Sequence, residues 1–211
     1  MAMDASRLRD YKTLASGNIC DAMELLGLRR SVIHGYTFIA APGTIVVGPA
    51  VTVHQIPKHA SASKSAKLTR HQELSNHLAK PGEVIVIDVG GIRDLCSWGE
   101  IHSAKCQARG VGGLVINGCV RDVDAIRKIG FPVFCIGFSP VKSLWDLQTL
   151  SVNEPVVIGG VQVKPGDILF GDETGIMVMP PEREEEILRI AKEIRDEEEK
   201  ILSAVSKKSD G

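Results

Sequence analysis

Aromatic residues are scarce in this 211-residue chain: five Phe, two Tyr and two Trp. So few rings make a base-stacking platform for single-stranded nucleic acid an unlikely design. An excess of one charge sign is missing as well. Twenty-five Lys and Arg stand against 26 Asp and Glu, a formal net charge of −1, whereas a dedicated nucleic-acid binder carries a clear basic excess on some face. No apolar run approaches the ~18 residues of a membrane helix. The start, Met1-Ala2-Met3-Asp4-Ala5-Ser6-Arg7, holds no apolar segment of the secretory kind. Paired cysteines are absent too: Cys20, Cys96, Cys106, Cys119 and Cys135 are dispersed, with no CxxC. Such a set reads as reduced thiols serving as small buried hydrophobes, not as a metal cluster, and implies a cytoplasmic chain. Neither nucleic acid nor membrane is an expected partner.

What is present is an ordinary globular composition, 44% hydrophobic and 24% charged, long enough to bury a core without staples. Glycine is plentiful at 21, which points to tight turns or to backbone that approaches a ligand. Apolar spacing predicts helix over residues 5–28, interrupted at Ser16-Gly17-Asn18. Strands are expected at Tyr36–Ala41, Thr44–Val47 and Ala50–Gln55, followed by a polar loop over 56–72 that leads to a helix holding Leu74 and Leu78. Val84–Ile87, Leu114–Ile116 and Pro132–Ile136 read as buried strands, the second stopping at Asn117-Gly118. Helices at 99–109 and 123–129 separate them, the mark of an α/β unit with parallel strands. Pro155–Ile158, a Gly159-Gly160 turn and Val161–Val163 form a hairpin; Ile168–Phe170 and Gly175–Met179 follow. Ile187, Ile190, Ala191, Ile194, Ile201 and Val205 stripe a long helix over 182–205, with Lys207–Gly211 a frayed tail. The fold class is α/β: one domain with mixed β-sheets, a central α/β/α unit, a catalytic body over 1–181 and a C-terminal helix and tail over 182–211.

Ligands in such units bind beyond the carboxyl ends of parallel strands. Two ends here carry chemistry: Asp88-Val89-Gly90-Gly91, running on to Trp98-Gly99-Glu100, and Asn117-Gly118-Cys119-Val120-Arg121-Asp122. Carboxylates are hard ligands for Mg²⁺ or Mn²⁺. Arg121 offers a planar fork for a substrate carboxylate, and the glycines admit an anion to backbone amides. Plainer roles compete. Asp122 could cap the helix beginning near Val123, and Glu100 could be a favourable first-turn charge.

Ile85-Val86-Ile87-Asp88-Val89-Gly90-Gly91, Trp98-Gly99-Glu100, residues 109–122 and Gly130-Phe131-Pro132-Val133-Phe134 resemble the RraA-like family. Its signature, an acidic residue, twenty residues and then Arg-Asp, is matched by Glu100 and Arg121-Asp122. The resemblance extends to Leu14–Leu26, to 41–53 and to 165–175. The family contains class II 4-hydroxy-4-methyl-2-oxoglutarate / 4-carboxy-4-hydroxy-2-oxoadipate aldolases and a regulator of RNase E, whose branch can lack the Asp after the Arg. The resemblance implies a lyase that takes a small 2-oxo acid and cleaves it to pyruvate. Asp122 would hold Mg²⁺ or Mn²⁺, and Arg121 would bind the pyruvate-like moiety and stabilise its enolate. Glu100 would help position or relay a proton. The backbone amides of Ile101 and His102, beside Gly99 and the Gly90-Gly91 loop, would hold the substrate carboxylate at a helix N-terminus. Oxaloacetate decarboxylase activity passes through the same enolate. The family's aldolases are homotrimers or dimers of trimers with sites between subunits, so Glu198, which breaks the apolar stripe, is the candidate carboxylate for a neighbour's site; a solvated distal turn is the other reading. The chain departs from the family at 59–65, where Ser and Lys replace a Gly-Asp-Asn-Leu-like segment. There Lys64 and Arg70 could meet a distal carboxylate or form a solvated loop. Trp145, in a variable-looking connection over 139–151, is open between packing and specificity.

Charge is unevenly spread. Residues 182–200 hold nine acidic and five basic residues, leaving the rest at 20 basic and 17 acidic. A mildly basic body suits a small dianion.

Overall fold

The computed structural model describes residues 5–63 and 65–209. The chain opens with helices α1 (Ala5–Tyr11) and α2 (Ser16–Leu25) and short strands β1 (Val32–Ile33) and β2 (Thr37–Ile39). The long strand β3 (Val46–Pro57) follows, then a single turn, α3 (His71–Glu73), continuing into a π-helical turn at Leu74–Leu78. The centre runs β4 (Val84–Asp88), β5 (Cys96–Trp98), α4 (Glu100–Ala108), β6 (Gly113–Val120), α5 (Val123–Ile129) and β7 (Val133–Phe138). A 3₁₀ turn at Ser143–Trp145 leads to β8 (Leu147–Val152), the hairpin β9 (Val156–Ile158) and β10 (Val161–Val163), and the pair β11 (Ile168–Asp172) and β12 (Gly175–Met179). Helix α6 (Glu184–Ser209) closes the described chain. No helix among the described residues is long and apolar enough to cross a membrane.

Ten strands make one mixed sheet in the order β1-β12-β11-β3-β4-β6-β7-β2, with β5 beside β6 and β8 beside β3. β3, β4, β6 and β7 are mutually parallel, and the rest pair antiparallel except β5, which is parallel to β6. Alternation along the central strands decides the layers. Ile85, Ile87, Leu114 and Ile116 face α4 and α5, meeting Cys106 and Ile126. Val84, Val86, Val115 and Phe134 face the other way, onto Val156, Ile158 and Val163 of the hairpin. Both helices of the central unit thus lie on one face, and β-structure covers the opposite face. A third cluster joins α1, α2 and α6 through Tyr11, Ile19, Met23, Ile187 and Ala191 to Phe170 and Met177.

Several local expectations are corrected. The break between the first helices falls at residues 12–15, not at Ser16-Gly17-Asn18. Asp172 takes the Ser16 amide and hydroxyl at 2.8 and 2.9 Å, and Asn18 Oδ1 accepts the Ala15 amide, so these polar residues start α2. Gly48-Pro49 does not divide β3. The strand changes partner there, from β11 on one side to β4 and β8 beyond it, and a Cβ at Gly48 would lie 2.0 Å from the Gly82 carbonyl oxygen. β6 runs through Asn117-Gly118 to Val120. The 139–151 connection contains most of β8, paired with the end of β3. α6 continues through Ser209, so the expected tail at 207–209 is helical backbone; Asp210 and Gly211 lie outside the described residues.

Candidate functional site

The row His54, Asp88, Asn117 crosses β3, β4 and β6 in register. Beyond it β4 ends, and β5 takes its place against β6, pairing Cys96 with Cys119 and Trp98 with Val120. The Arg121 amide then donates to the Trp98 carbonyl at 3.1 Å. The two chemically loaded loops are therefore stitched by backbone bonds, as parallel neighbouring strands imply.

Asp122 is the local anomaly. Its backbone is left-handed, with φ 59° and ψ 39°, a conformation uncommon outside glycine. It stands at the N-cap position of α5, yet its side chain makes no capping bond there. The carboxylate turns instead to α4: Oδ2 accepts the Glu100 amide at 3.3 Å and meets Arg121 Nε at 3.3 Å. The simple helix-cap reading is thereby removed. Gly99 makes the turn possible. A Cβ at Gly99 would lie 2.8 Å from Asp122 Oδ2, 3.1 Å from Arg121 Cγ and 3.3 Å from Arg121 Nε. Asp122 keeps 38% of its side chain exposed and Arg121 36%, so both reach solvent.

The first intrahelical bond at this end of α4 joins the Ser103 amide to the Gly99 carbonyl at 3.2 Å. The Ile101 and His102 amides precede it, in the first turn, where helix geometry supplies no carbonyl. Glu100 is exposed, and Ile101 is 63% exposed. Gly90 and Gly91 play a different part from the one expected. Their φ values are 70° and 77°, but the Gly90 amide already donates to Asp88 Oδ1 at 2.8 Å and the Gly91 amide to the Asn117 carbonyl at 3.1 Å. With these donors engaged, the pair shapes the turn; the expectation that it holds the substrate carboxylate is not supported. Glu198 lies away from this group, on α6, accepting from Asn18 Nδ2 at 2.7 Å. The structure thus brings together Gly99, Glu100, Ile101, His102, Arg121 and Asp122, and sets Glu198 apart within the chain.

Behind the site lies a polar network that the sequence did not announce. Gln55, at the end of β3, places Nε2 2.8 Å from His71 Nε2. Ser97 of β5 places Oγ 2.9 Å from the same nitrogen and donates to Gln55 Oε1. His102 Nδ1 is 2.9 Å from Ser75 Oγ, and the rings of His71, His102 and the buried Trp98 sit 5.2 to 6.0 Å apart. Burial, then repulsion from His102, lowers His71 to about 3. Burial, with Lys105 and Arg121 next, lowers His102 to about 4. Both imidazoles are neutral at ordinary pH, so Arg121 is the cation at this floor. A buried Gln at a strand end was the available signal, because a polar side chain without solvent needs partners.

The five cysteines are free, four of them buried. Burial raises the Cys106 thiol to about 12 and Cys135 to about 11, as befits inert core residues. Among the described residues no three His, Cys, Asp or Glu side chains gather as a metal cage. Mg²⁺ takes a sparser site than such a cage, one or two carboxylates with water filling the rest. The exposed Asp122 carboxylate over a Cβ-free Gly99 fits that kind.

Residues 16–178 match the model of the RraA-like family, described as Aldolase/RraA. A Halalkalibacterium halodurans protein named "Putative 4-hydroxy-4-methyl-2-oxoglutarate aldolase" is 31% identical over 199 residues, covering 94% of this chain and 88% of that one. Protein DlpA of Legionella pneumophila is 31% identical over 193 residues, which is 90% of this chain but 30% of DlpA. The chain therefore spans less than a third of that relative's length. Among solved structures, an uncharacterized protein from Pseudomonas syringae pv. tomato has a TM-score of 0.85 at 28% identity, with 98% of this chain and 91% of that chain covered. Streptomyces coelicolor RraAS2, described as an unusual member of the RNase ES inhibitor RraA protein family, has a TM-score of 0.79 at 27% identity, covering 94% and 96%.

Proposed function

The chain belongs to the RraA-like family, and from that membership we propose that it is a divalent-metal-dependent lyase that releases pyruvate from a 4-hydroxy-2-oxo dicarboxylic acid. The observation that carries the reading is Asp122. Its left-handed backbone and Gly99 together direct a carboxylate across to α4, beside Arg121, where it caps nothing of its own helix. Asp122 would hold Mg²⁺ or Mn²⁺, which would supply Lewis-acid chemistry to the substrate's 2-oxo group.

The chain's own groups account for the rest. The Ile101 and His102 amides, at a helix N-terminus, receive the substrate carboxylate. The guanidinium of Arg121 stabilises the negative charge that grows on the 2-oxo oxygen as the bond between C3 and C4 breaks. Glu100, exposed at the rim, positions or accepts the proton of the 4-hydroxyl. The electron pair of the broken bond passes into the enolate of pyruvate, which is then protonated at C3, and the former C4 leaves as a carbonyl. No lysine stands on these loops to form a Schiff base. The same enolate arises when oxaloacetate loses CO₂, so oxaloacetate decarboxylation belongs to the reading. Glu198, held on α6 by Asn18, is assigned to a neighbouring subunit's site in a homotrimer or dimer of trimers.

The test is pyruvate release from 4-hydroxy-4-methyl-2-oxoglutarate and from oxaloacetate, with Mg²⁺ and with EDTA. Asp122→Ala is expected to abolish the metal-dependent turnover, and Arg121→Ala to cost about 10²- to 10³-fold. Full activity of Asp122→Ala in EDTA removes the metal from the mechanism. Silence of the wild type on both substrates turns the reading to the regulatory branch of the family.

A further inference from the structure

Retro-aldol cleavage moves a proton. The 4-hydroxyl loses one as the bond between C3 and C4 breaks, and C3 of the enolate gains one afterwards. Few groups near Arg121 can carry it. The Cys96 thiol is buried, and burial raises it. Arg70, one of the two basic residues expected to meet a substrate, donates to Glu73 through Nε at 2.8 Å; Lys64, the other, lies outside the described residues. That leaves Glu100 at the rim and the imidazole of His102.

Three observations aim this imidazole at the substrate. His102 stands in the first turn of α4, and helical side chains lean toward the N-terminus of their own helix. The ring is thus carried toward the end of α4 where, on the lyase reading, the substrate carboxylate sits. Its neighbours are those of the site. Its centroid lies 5.2 Å from that of Trp98, whose carbonyl accepts the Arg121 amide at 3.1 Å, and the Arg121 charge reaches the ring. The two ring nitrogens differ. Nδ1 is 2.9 Å from Oγ of the fully buried Ser75. The single hydroxyl hydrogen of Ser75 goes to the Gln72 carbonyl at 3.4 Å, so Oγ accepts from Nδ1. Nδ1 then holds the proton of the neutral ring, and Nε2 holds the lone pair. Nε2 has no hydrogen-bond partner among the described residues, and it is not sealed off: among those residues the Tyr36 hydroxyl is the one buried side-chain N or O atom without a partner. Burial, Lys105 and Arg121 keep the ring neutral, the form a base requires. Once protonated in such surroundings, it is a strong proton donor.

Resting on the lyase reading, we propose that His102 is a catalytic residue whose Nε2 takes the 4-hydroxyl proton and delivers it to C3 of the pyruvate enolate. One nitrogen serving both transfers balances the reaction. The O–H bond breaks toward Nε2, and its electron pair forms the new carbonyl at C4. The C3–C4 pair passes into the enolate, and the imidazolium gives its proton to C3. Nothing is oxidised or reduced, and the ring ends neutral. Glu100 then positions the hydroxyl. Oxaloacetate has no 4-hydroxyl to deprotonate before CO₂ leaves, so its decarboxylation does not need the first transfer.

The experiment uses the whole chain with Mg²⁺. In D₂O, bound pyruvate exchanges its methyl hydrogens when a base reaches C3, and NMR follows this without any cleavage. His102→Asn keeps a donor for Ser75 and lacks Nε2; His102→Gln sets an amide near Nε2 that cannot carry a proton. Both are expected to lose about 10²-fold or more in methyl exchange and in kcat for 4-hydroxy-4-methyl-2-oxoglutarate, with KM little changed. The loss on oxaloacetate should be smaller by about ten-fold or more. Wild-type exchange in either folded variant overturns the proposal, as do equal losses on the two substrates, which return His102 to packing. Cleavage of the aldol by the wild type without methyl exchange overturns it whatever the variants do. A wild type that turns over neither substrate removes the lyase reading and His102 with it, whereas Mg²⁺-dependent pyruvate release with undiminished exchange in the variants removes His102 alone.

Discussion

Gly99→Ala tests the geometry with a single methyl group. Gly99 has φ −169° and ψ −169°, extended backbone that alanine adopts freely, so no backbone strain enters. The cost arises at one point. The new Cβ stands 2.8 Å from Asp122 Oδ2 and 3.1 Å from Arg121 Cγ, too close by about half an ångström. The carboxylate is partly in solvent, so it can swing away cheaply. Stability should change by less than about 1 kcal/mol, or roughly 2–4 °C in Tm for a chain of this size. Catalysis has no such latitude. Swinging Asp122 breaks its bond to the Glu100 amide and displaces it from Arg121, and a displacement approaching 1 Å costs on the order of 10²-fold in rate. The expected result is a folded protein with kcat/KM for pyruvate release down about 10- to 100-fold and a higher Mg²⁺ requirement. Thermal melts and a coupled pyruvate assay over a Mg²⁺ titration measure both. Wild-type kinetics at an unchanged Tm would refute the reasoning, because the methyl would then have displaced nothing that matters.

Two further outcomes are expected. His71 and His102 titrate at about 3 and about 4 in the folded chain, below the usual value near 6.5. The unfolded chain therefore binds their protons first, and their contribution to stability is present above about pH 6.5 and declines as pH falls toward the folded values, by up to about 1.4 kcal/mol per pH unit for each group. Urea midpoints of the wild type and of His71→Asn should converge between about pH 7 and about pH 5; a gap that does not change with pH would show that His71 is not held neutral. Glu198→Gln keeps the bond from Asn18 and removes the charge. Pyruvate release should fall about ten-fold or more with Tm within a few degrees if the carboxylate serves a neighbouring site, and unchanged kinetics would return Glu198 to a surface role. Truncation after Pro181 is the poorer experiment, since α6 carries Ile187, Leu188 and Ala191 of the core and Glu184, which accepts from the Tyr11 hydroxyl at 3.0 Å.

Much of the frame was legible because it follows local rules. The apolar run at 84–87, the helix at 123–129 and the hairpin around Gly159-Gly160 rest on periodicity and turn chemistry, which neighbouring residues determine. The spacing of Glu100 and Arg121-Asp122 was equally plain. The polar starts and stops were misread, and for one reason. Ser16 and Asn18 looked like an interruption because their partners, Asp172 and the Ala15 amide, make the start of α2. Asn117-Gly118 looked like a strand end because pairing with β4 and β5 on one side and β7 on the other carries β6 past it.

The sequence by itself determined the class of the molecule, the order of its elements and the two loops where carboxylates, a guanidinium group and glycines gather, since these depend on alternation, spacing and residue type. Only the tertiary structure decided what those side chains do there. It turned Asp122 away from its own helix, because Gly99 leaves space for a carboxylate at the start of α4. It set neutral imidazoles beneath Arg121, because β3, β5 and α4 bury them together. It set the Lys58 ammonium group against the Ala66 and Leu144 carbonyls, because the segment before β8 folds back onto the end of β3. Each of these depends on residues far apart in the chain meeting at one sheet edge, and no local pattern encodes such a meeting.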